Sequence, residues 1–244
     1  MESEKRERLA VLIDADNAQA SLADSLFAEI ARYGSATVRR AYGDWTTTNL
    51  TAWKATLHKL AIQPIQQFRY TTGKNATDSA LIIDAMDLLY SGNFDGFCIV
   101  SSDSDFTRLA TRLREAGIVV YGFGEEKTPA PFVAACDKFV YTSILKTDSE
   151  GKSIPLATAP EATSLKSNLK RAIEATARDD GWAHLGAIGA ILLKADPSFD
   201  SRNFGHKKLG ELVKAQPYLD VREQKSGNEL APTLLVRVNK HPSP

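Results

Sequence analysis

Val11-Leu12-Ile13-Asp14-Ala15-Asp16-Asn17 is an apolar run that stops at two aspartates and an asparagine. Two other stretches repeat the theme: Ile99-Val100-Ser101-Ser102-Asp103-Ser104-Asp105, and Lys74-Asn75-Ala76-Thr77-Asp78 at the start of a helical pattern. In an open α/β sheet, ligands bind in the crevice outside the carboxyl ends of the strands. Five carboxylates meeting there would repel one another unless cations bridged them. The pattern therefore points to divalent-metal and phosphate chemistry.

Outward from these stretches, strands and helices alternate. Leu9–Ile13 reads as a buried strand, Ala20–Tyr33 as a helix, Thr37–Tyr42 as a strand and Asn49–Leu60 as a helix. Ile65–Tyr70 returns to strand, and Thr77–Tyr90 is helical, with Leu81, Ala85 and Leu88 at i, i+4 and i+7. Phe97–Val100 is a buried strand, Phe106–Ala116 a helix closed by Gly117, and Ile118–Tyr121 and Phe139–Ile144 are strands. Such alternation predicts an α/β fold with a mainly parallel sheet and helices on both faces. Residues 147–163, rich in Ser, Thr and Ala with Pro155 and Pro160, read as a linker. Three short helices follow, near Leu165–Ile173, His184–Lys194 and Asn203–Ala215. Two strands, Leu219–Arg222 and Leu234–Val238, are joined through Ser226-Gly227-Asn228. Three helices and a β-ribbon describe a small winged helix-turn-helix domain.

A chain of 244 residues has room for one larger and one smaller domain. Its charges cancel overall but not locally. Residues 1–150 hold 16 Lys+Arg against 20 Asp+Glu, while the remainder holds 14 against 10. An acidic first part suits a cation site, and a basic second part suits nucleic acid. Cys98 and Cys136 form no CxxC pair and read as small core residues. The charged start, Met1 to Arg8, lacks the apolar segment of a signal peptide, and no apolar run is long enough to span a bilayer. The expectation is a cytoplasmic protein without membrane association.

Any one of these aspartates alone suits helix capping or a turn. Together they do more, because Asp14 and Asp103 end apolar strands that need no acid for folding. Hard cations such as Mg²⁺ and Mn²⁺ take oxygen ligands, and His58, His184, His206 and His241 are too scattered to offer a softer site. Asn17 adds a neutral oxygen or a donor to phosphate, and Lys74 is either a phosphate-stabilising charge or a plain solvated lysine. Asp84 and Asp87 fall on other faces of the Asp78 helix.

The segments Leu12-Ile13-Asp14-Ala15-Asp16-Asn17, Lys74-x-x-x-Asp78 and Val100-Ser101-Ser102-Asp103-Ser104-Asp105-Phe106 resemble the NYN domain family of PIN-like nucleases, which includes the LabA-like proteins. The likeness covers residues 8–146. It implies a PIN-like α/β/α sandwich and a ribonuclease centre dependent on one or two Mg²⁺ or Mn²⁺ ions. Asp14, Asp78 and Asp103 would be its central acids, with Asp16, Asn17 and Asp105 supporting metal and substrate and Asp105 joining the catalytic set. Many members carry Asp-Gly-x-Asn where this chain has Asp14-Ala15-Asp16-Asn17.

The run from Asp180 to Gly189, followed by Pro197 to Leu209, resembles the OST-HTH or LOTUS domain over residues 164–240. That resemblance implies RNA binding and, in some members, protein partners. On the residues themselves, Lys207 and Lys214 share an outward helix face near Lys208, with Arg202 just before, and a winged helix with such a face can track phosphates. The same lysines also fit a merely solvated face. Trp182 and Phe199 are expected to pack in the core rather than stack on bases.

Three functions compete: a metal-dependent RNA endonuclease with an RNA-binding module, a non-catalytic RNA-binding adaptor, and a haloacid-dehalogenase-like phosphatase. The last would use Asp14-x-Asp16, Lys74, the later aspartate pair and, loosely, Thr46–Thr48. The oligomeric state is not legible in the sequence.

Overall fold

A computed structural model describes residues 6–68, 76–146, 159–224 and 233–239, with side chains from 164 onward in the third stretch. The chain divides after Lys146 into two compact units.

The first unit is built on six parallel strands: β1 (Arg8–Asp14), β2 (Ser35–Gly43), β3 (Gln63–Gln66), β4 (Gly96–Val100), β5 (Val119–Gly124) and β6 (Lys138–Tyr141), ordered β3-β2-β1-β4-β5-β6. Five helices connect them: α1 (Ala23–Ile30), α2 (Thr51–Lys59), α3 (Ala76–Tyr90), α4 (Thr107–Glu115) and α5 (Ala130–Ala135). Side chains alternate across a strand. Leu9, Val11 and Ile13 therefore enter a core with Leu26 and Ile30 of α1 and Trp53 and Leu57 of α2. Ala10 and Leu12 enter the opposite core with Leu81 and Ala85 of α3, Leu109 and Leu113 of α4, and Phe132 of α5. The unit is thus an α/β/α sandwich of PIN-like type, with β1 and β4 buried on both faces as their unbroken apolar runs require.

Several boundaries differ from expectation. The helix expected from Ala20 opens as a 3₁₀ turn, Ala20–Leu22, before α1. The strand expected at Ile65–Tyr70 lies earlier, as β3, where Pro64 is tolerated on the edge of the sheet; residues from 69 on lie outside the described residues. The helix expected from Phe106 opens two residues earlier as a 3₁₀ turn, Ser104–Phe106, and becomes α-helical at Thr107. The last strand stops at Tyr141, and Thr142–Leu145 turn as a 3₁₀ helix. Helix α5 was not foreseen, since six residues hold too little periodicity to register.

The second unit comprises α6 (Ala159–Thr176), β7 (Ala183–His184), α7 (Leu185–Ala195), α8 (Leu209–Lys214), β8 (Leu219–Gln224) and β9 (Thr233–Val238). The strands form an antiparallel sheet ordered β7-β9-β8. Leu169, Ile173, Ile188, Leu192, Leu212 and Val236 form its core, with Phe199 packed against them. Helix α6 starts at Ala159, within the expected linker, with Pro160 in its first turn, where a missing N–H costs nothing. The expected third helix is split. Ser201–Phe204 is a 3₁₀ turn closed by Gly205 at φ 78°, a conformation that favours glycine, and α8 begins only at Leu209. The Ser226-Gly227-Asn228 turn lies outside the described residues.

Candidate active site

Strand register sets the site. Ile13 of β1 lies beside Val100 of β4, so the next residues, Asp14 and Ser101, are neighbours as both strands end. Asp14 continues the Ala10–Leu12 face, which points toward α3. Asp14 is 1% exposed. Oδ2 accepts from Ser101 Oγ at 2.7 Å and from Asn17 Nδ2 at 2.6 Å. Oδ1 is buried and has no hydrogen-bond partner among the described residues. Burial raises the Asp14 carboxyl above its ordinary value, against the lowering effect of the Asn17 and Ser101 donors. A bare buried carboxylate oxygen costs several kcal/mol unless a donor or a cation reaches it.

Asp103 follows β4 and caps the Ser104–Phe106 turn, accepting from the Asp105 N–H at 2.9 Å; its own N–H donates to Ser101 Oγ at 3.1 Å. Capping duty and membership of the acidic group coexist here. Buried Phe106 anchors the turn and leaves Asp105 facing outward. Asp78 sits in the first turn of α3, and the preceding Thr77 donates to Asp16 Oδ2 at 3.3 Å, tying the helix start to the end of β1. One oxygen each of Asp78, Asp103 and Asp105 lie within 4.8 Å of one another. Burial, followed by the charges of Asp14, Asp103, Asp105 and Asp16, pushes the Asp78 carboxyl up to about 6.

An all-oxygen donor set, three carboxylates this close and an unshared oxygen on buried Asp14 fit a hard divalent cation. Such an ion holds its ligands at about 2.0–2.1 Å, so opposite ligand atoms stand roughly 4 Å apart. Lys74 lies outside the described residues. Asp84 is tied away from the group, accepting from the Tyr42 hydroxyl and the Arg40 guanidinium. The Thr46–Thr48 segment serves the turn after β2: the Thr46 hydroxyl donates to Asp44 Oδ1 at 2.6 Å and that of Thr47 to the Asp44 carbonyl at 2.9 Å. Ser101 is the residue whose part the sequence did not reveal. Its only signal was its place directly after an apolar strand.

In the second unit, Lys207 and Lys208 are exposed just ahead of α8. Lys214 pairs with Glu223 at 2.9 Å, and Arg202 is held by Asp200 through Nε at 2.9 Å and Nη2 at 2.7 Å. Trp182 lies under two arginines outside the main core, unlike Phe199.

Two family models agree with this architecture. The family model described as NYN domain matches residues 8–146, and that described as OST-HTH/LOTUS domain matches residues 160–231. A comparison with curated proteins returns no match. A crystal structure of a protein of unknown function from Vibrio parahaemolyticus is similar over 58% of this chain and 96% of its own, at 17% identity and TM-score 0.49. A solution structure of an uncharacterized protein from Nitrosomonas europaea covers 38% of this chain and 86% of its own, at 29% identity and TM-score 0.31. Another, of residues 175–257 of a protein from Chromobacterium violaceum, covers 32% and 82% at 44% identity and TM-score 0.27. Among the described residues, no helix is long and apolar enough to cross a membrane.

Proposed function

This chain belongs to the NYN domain family, and from that premise we propose that its first unit is a metal-dependent ribonuclease, an RNA endonuclease served by RNA binding in the OST-HTH/LOTUS unit. The observation that carries this reading is the trio Asp78, Asp103 and Asp105 within 4.8 Å, beside buried Asp14 with an oxygen that no donor among the described residues reaches. Asp14, Asp78, Asp103 and Asp105 would hold one or two Mg²⁺ or Mn²⁺ ions, with Asp16 at the rim. Bound there, the cation would stabilise charge developing on phosphate oxygens and lower the pKa of the attacking water.

The chain's own residues do the rest. Ser101 and Asn17 fix the orientation of Asp14, which leaves its second oxygen committed to the site. Asp78, its carboxyl raised to about 6, would hold a proton at mildly acidic pH and would have to give it up to serve as a cation ligand. Asp103 is braced by the turn it caps, so the acids are positioned before substrate arrives. Asn17 and, from its sequence position, Lys74 would contact the substrate phosphate. Likeness to PIN-like nucleases supports products with a 5′-phosphate and a 3′-hydroxyl. Lys207 and Lys208, with Arg202 and Lys214 beside them, would add phosphate contacts in the second unit, a unit that in some OST-HTH/LOTUS members also recruits protein partners.

The test is cleavage of end-labelled RNAs by the full chain with and without Mn²⁺ or Mg²⁺, beside Asp14→Asn and Asp103→Asn. Cleavage should require the metal and fall at least roughly a hundredfold in either variant, since an amide cannot neutralise the ion. Undiminished cleavage in excess chelator would overturn the assignment. Metal-independent RNA binding without any cleavage would leave an adaptor. Phosphate release from small phosphomonoesters, without RNA cleavage, would favour a phosphatase.

A further inference from the structure

The outward face of the β7-β9-β8 sheet carries an aromatic and cationic surface distinct from the lysines ahead of α8. Ala183 pairs with Val236, so Trp182, one residue before β7, falls beside Arg237 of β9. Asp220 of β8 pairs with Arg237, and Arg222 with Leu235, which puts Arg222 on the same face two residues along. Val236 turns the other way into the core. Both arginines are exposed. The Arg222 guanidinium carbon stands 4.5 Å from the centre of the indole ring, and that of Arg237 stands 4.7 Å from it.

Arg178 adds a third guanidinium. The Arg178 backbone N–H donates to the Trp182 carbonyl at 3.0 Å, which sets the residue beside the ring, and its side-chain Nη2 lies 2.5 Å from His184 Nε2, on the next strand position of this face. Asp220 answers one of these charges, pairing with Arg237 Nε at 2.9 Å. Among the described residues, Arg222 and Arg178 make no ion pair. Each cation–π contact at an exposed site yields only about 0.5–1 kcal/mol. Like charges gathered over one ring repel, so folding by itself gains little from the arrangement.

We propose that Arg178, Trp182, Arg222 and Arg237 form a binding surface for single-stranded RNA. Arg222, over the indole and without an ion pair among the described residues, keeps its in-plane N–H fork open, and that fork matches a phosphodiester in two-point contact, whereas on Arg237 Asp220 occupies Nε. The outer guanidinium planes, carried on the indole, are surfaces on which an unpaired base stacks, and in duplex RNA the bases are not open to them. An acidic peptide would satisfy the forks and leave the planes unused. This inference rests on RNA being the substrate of the first unit, and it locates where that RNA is captured.

The experiment is fluorescence anisotropy of a labelled 12-nucleotide single-stranded RNA titrated with the full chain, in chelator and at several salt concentrations. R222Q/R237Q should weaken binding at least tenfold and flatten the log–log salt dependence by about 1.4, at roughly 0.7 per phosphate contact on a single strand. Trp182→Phe, which keeps a ring, should bind within threefold of wild type, while Trp182→Leu should lose about tenfold. K207Q/K208Q should lose less than the arginine pair. Melting curves establish that each variant is folded. The inference falls if the wild type binds no single-stranded RNA, or if the folded arginine variant keeps wild-type affinity and salt slope. It also falls if duplex RNA or an acidic peptide competes as well as the single strand. Cleavage plays no part in this readout, so an inactive first unit would leave a positive titration standing, and a failed titration would leave metal-dependent cleavage untouched.

Discussion

Asp78→Asn should stabilise the metal-free protein at neutral pH, although it removes a proposed ligand. Burial and then four neighbouring aspartates raise the Asp78 carboxyl from its ordinary 3.8 to about 6. A rise of that size corresponds to about 3 kcal/mol. The side chain is only partly buried, and solvent screening cuts this roughly in half. Losing an acid from the first turn of α3 costs about 0.3–1 kcal/mol in the helix dipole. The net gain is about 1 kcal/mol, or roughly 2–4 °C in melting temperature for a domain of this size. The sign follows from linkage. The folded value lies above the unfolded one, so the favourable contribution of Asp78 is complete below pH 3.8 and is lost as the pH rises through about 6. At pH 7.5 the wild type carries the full repulsion, so the variant should melt higher. Near pH 4 the gain should vanish. Adding millimolar-scale Mn²⁺ should reverse the order, because the wild type gains more from binding to its folded state. Calorimetric melts in chelator at pH 7.5 and 4, then with Mn²⁺, read all three. A variant that melts at or below wild type at pH 7.5 without metal would refute the reasoning, as would a gain that persists at pH 4.

Ser101→Ala removes the hydroxyl that donates to Asp14 at 2.7 Å, and should weaken Mn²⁺ binding by about 10–100-fold in calorimetric titration. Gly124→Ala would set a Cβ 2.7 Å from the Ser101 carbonyl and 2.6 Å from Thr128 Oγ1, so it should cost about 1–3 kcal/mol in urea unfolding and shift the end of β4 beside the acids. Tyr42→Phe removes the hydroxyl that donates to Asp84 from a fully buried ring, and should cost about 1–3 kcal/mol by denaturant melts while leaving metal affinity unchanged.

What the sequence made legible follows the strength of local patterning. β1 and β4 are buried on both faces and read as unbroken apolar runs, and α3 repeats its apolar face over four turns. β3 is Gln-Pro-Ile-Gln on the sheet edge, where neither alternation nor apolar content marks a strand. Asp14, Asp78 and Asp103 could be grouped in advance because each occupies the end of an element that α/β topology brings to one crevice. Ser101 could not, since a serine before an aspartate looks like any turn. Trp182 misled because the face it occupies depends on pairing with β9, more than fifty residues later in the sequence. The ion pairs that hold Arg202 and Lys214 depend on side-chain geometry and on cross-chain neighbours that charge counting does not reveal.

The chemistry proposed for the first unit depends on topology and parity together. In the order β3-β2-β1-β4-β5-β6, the chain runs outward from β1 in one direction and from β4 in the other, which opens the crevice between the ends of these two strands. α3 returns toward β4 over the face that Ala10 and Leu12 share, bringing Asp78 to that crevice. Asp14 points to α3 only because it is two residues beyond Leu12, and Ser101 meets it only because Ile13 registers with Val100. A slip of one residue in β1 would turn Asp14 toward the α1–α2 core, where no second acid of the group awaits it, and would bury Leu9, Val11 and Ile13 on the wrong side. Core packing therefore enforces the register, and the register assembles the acids, so that folding energy holds together carboxylates that would otherwise drive one another apart.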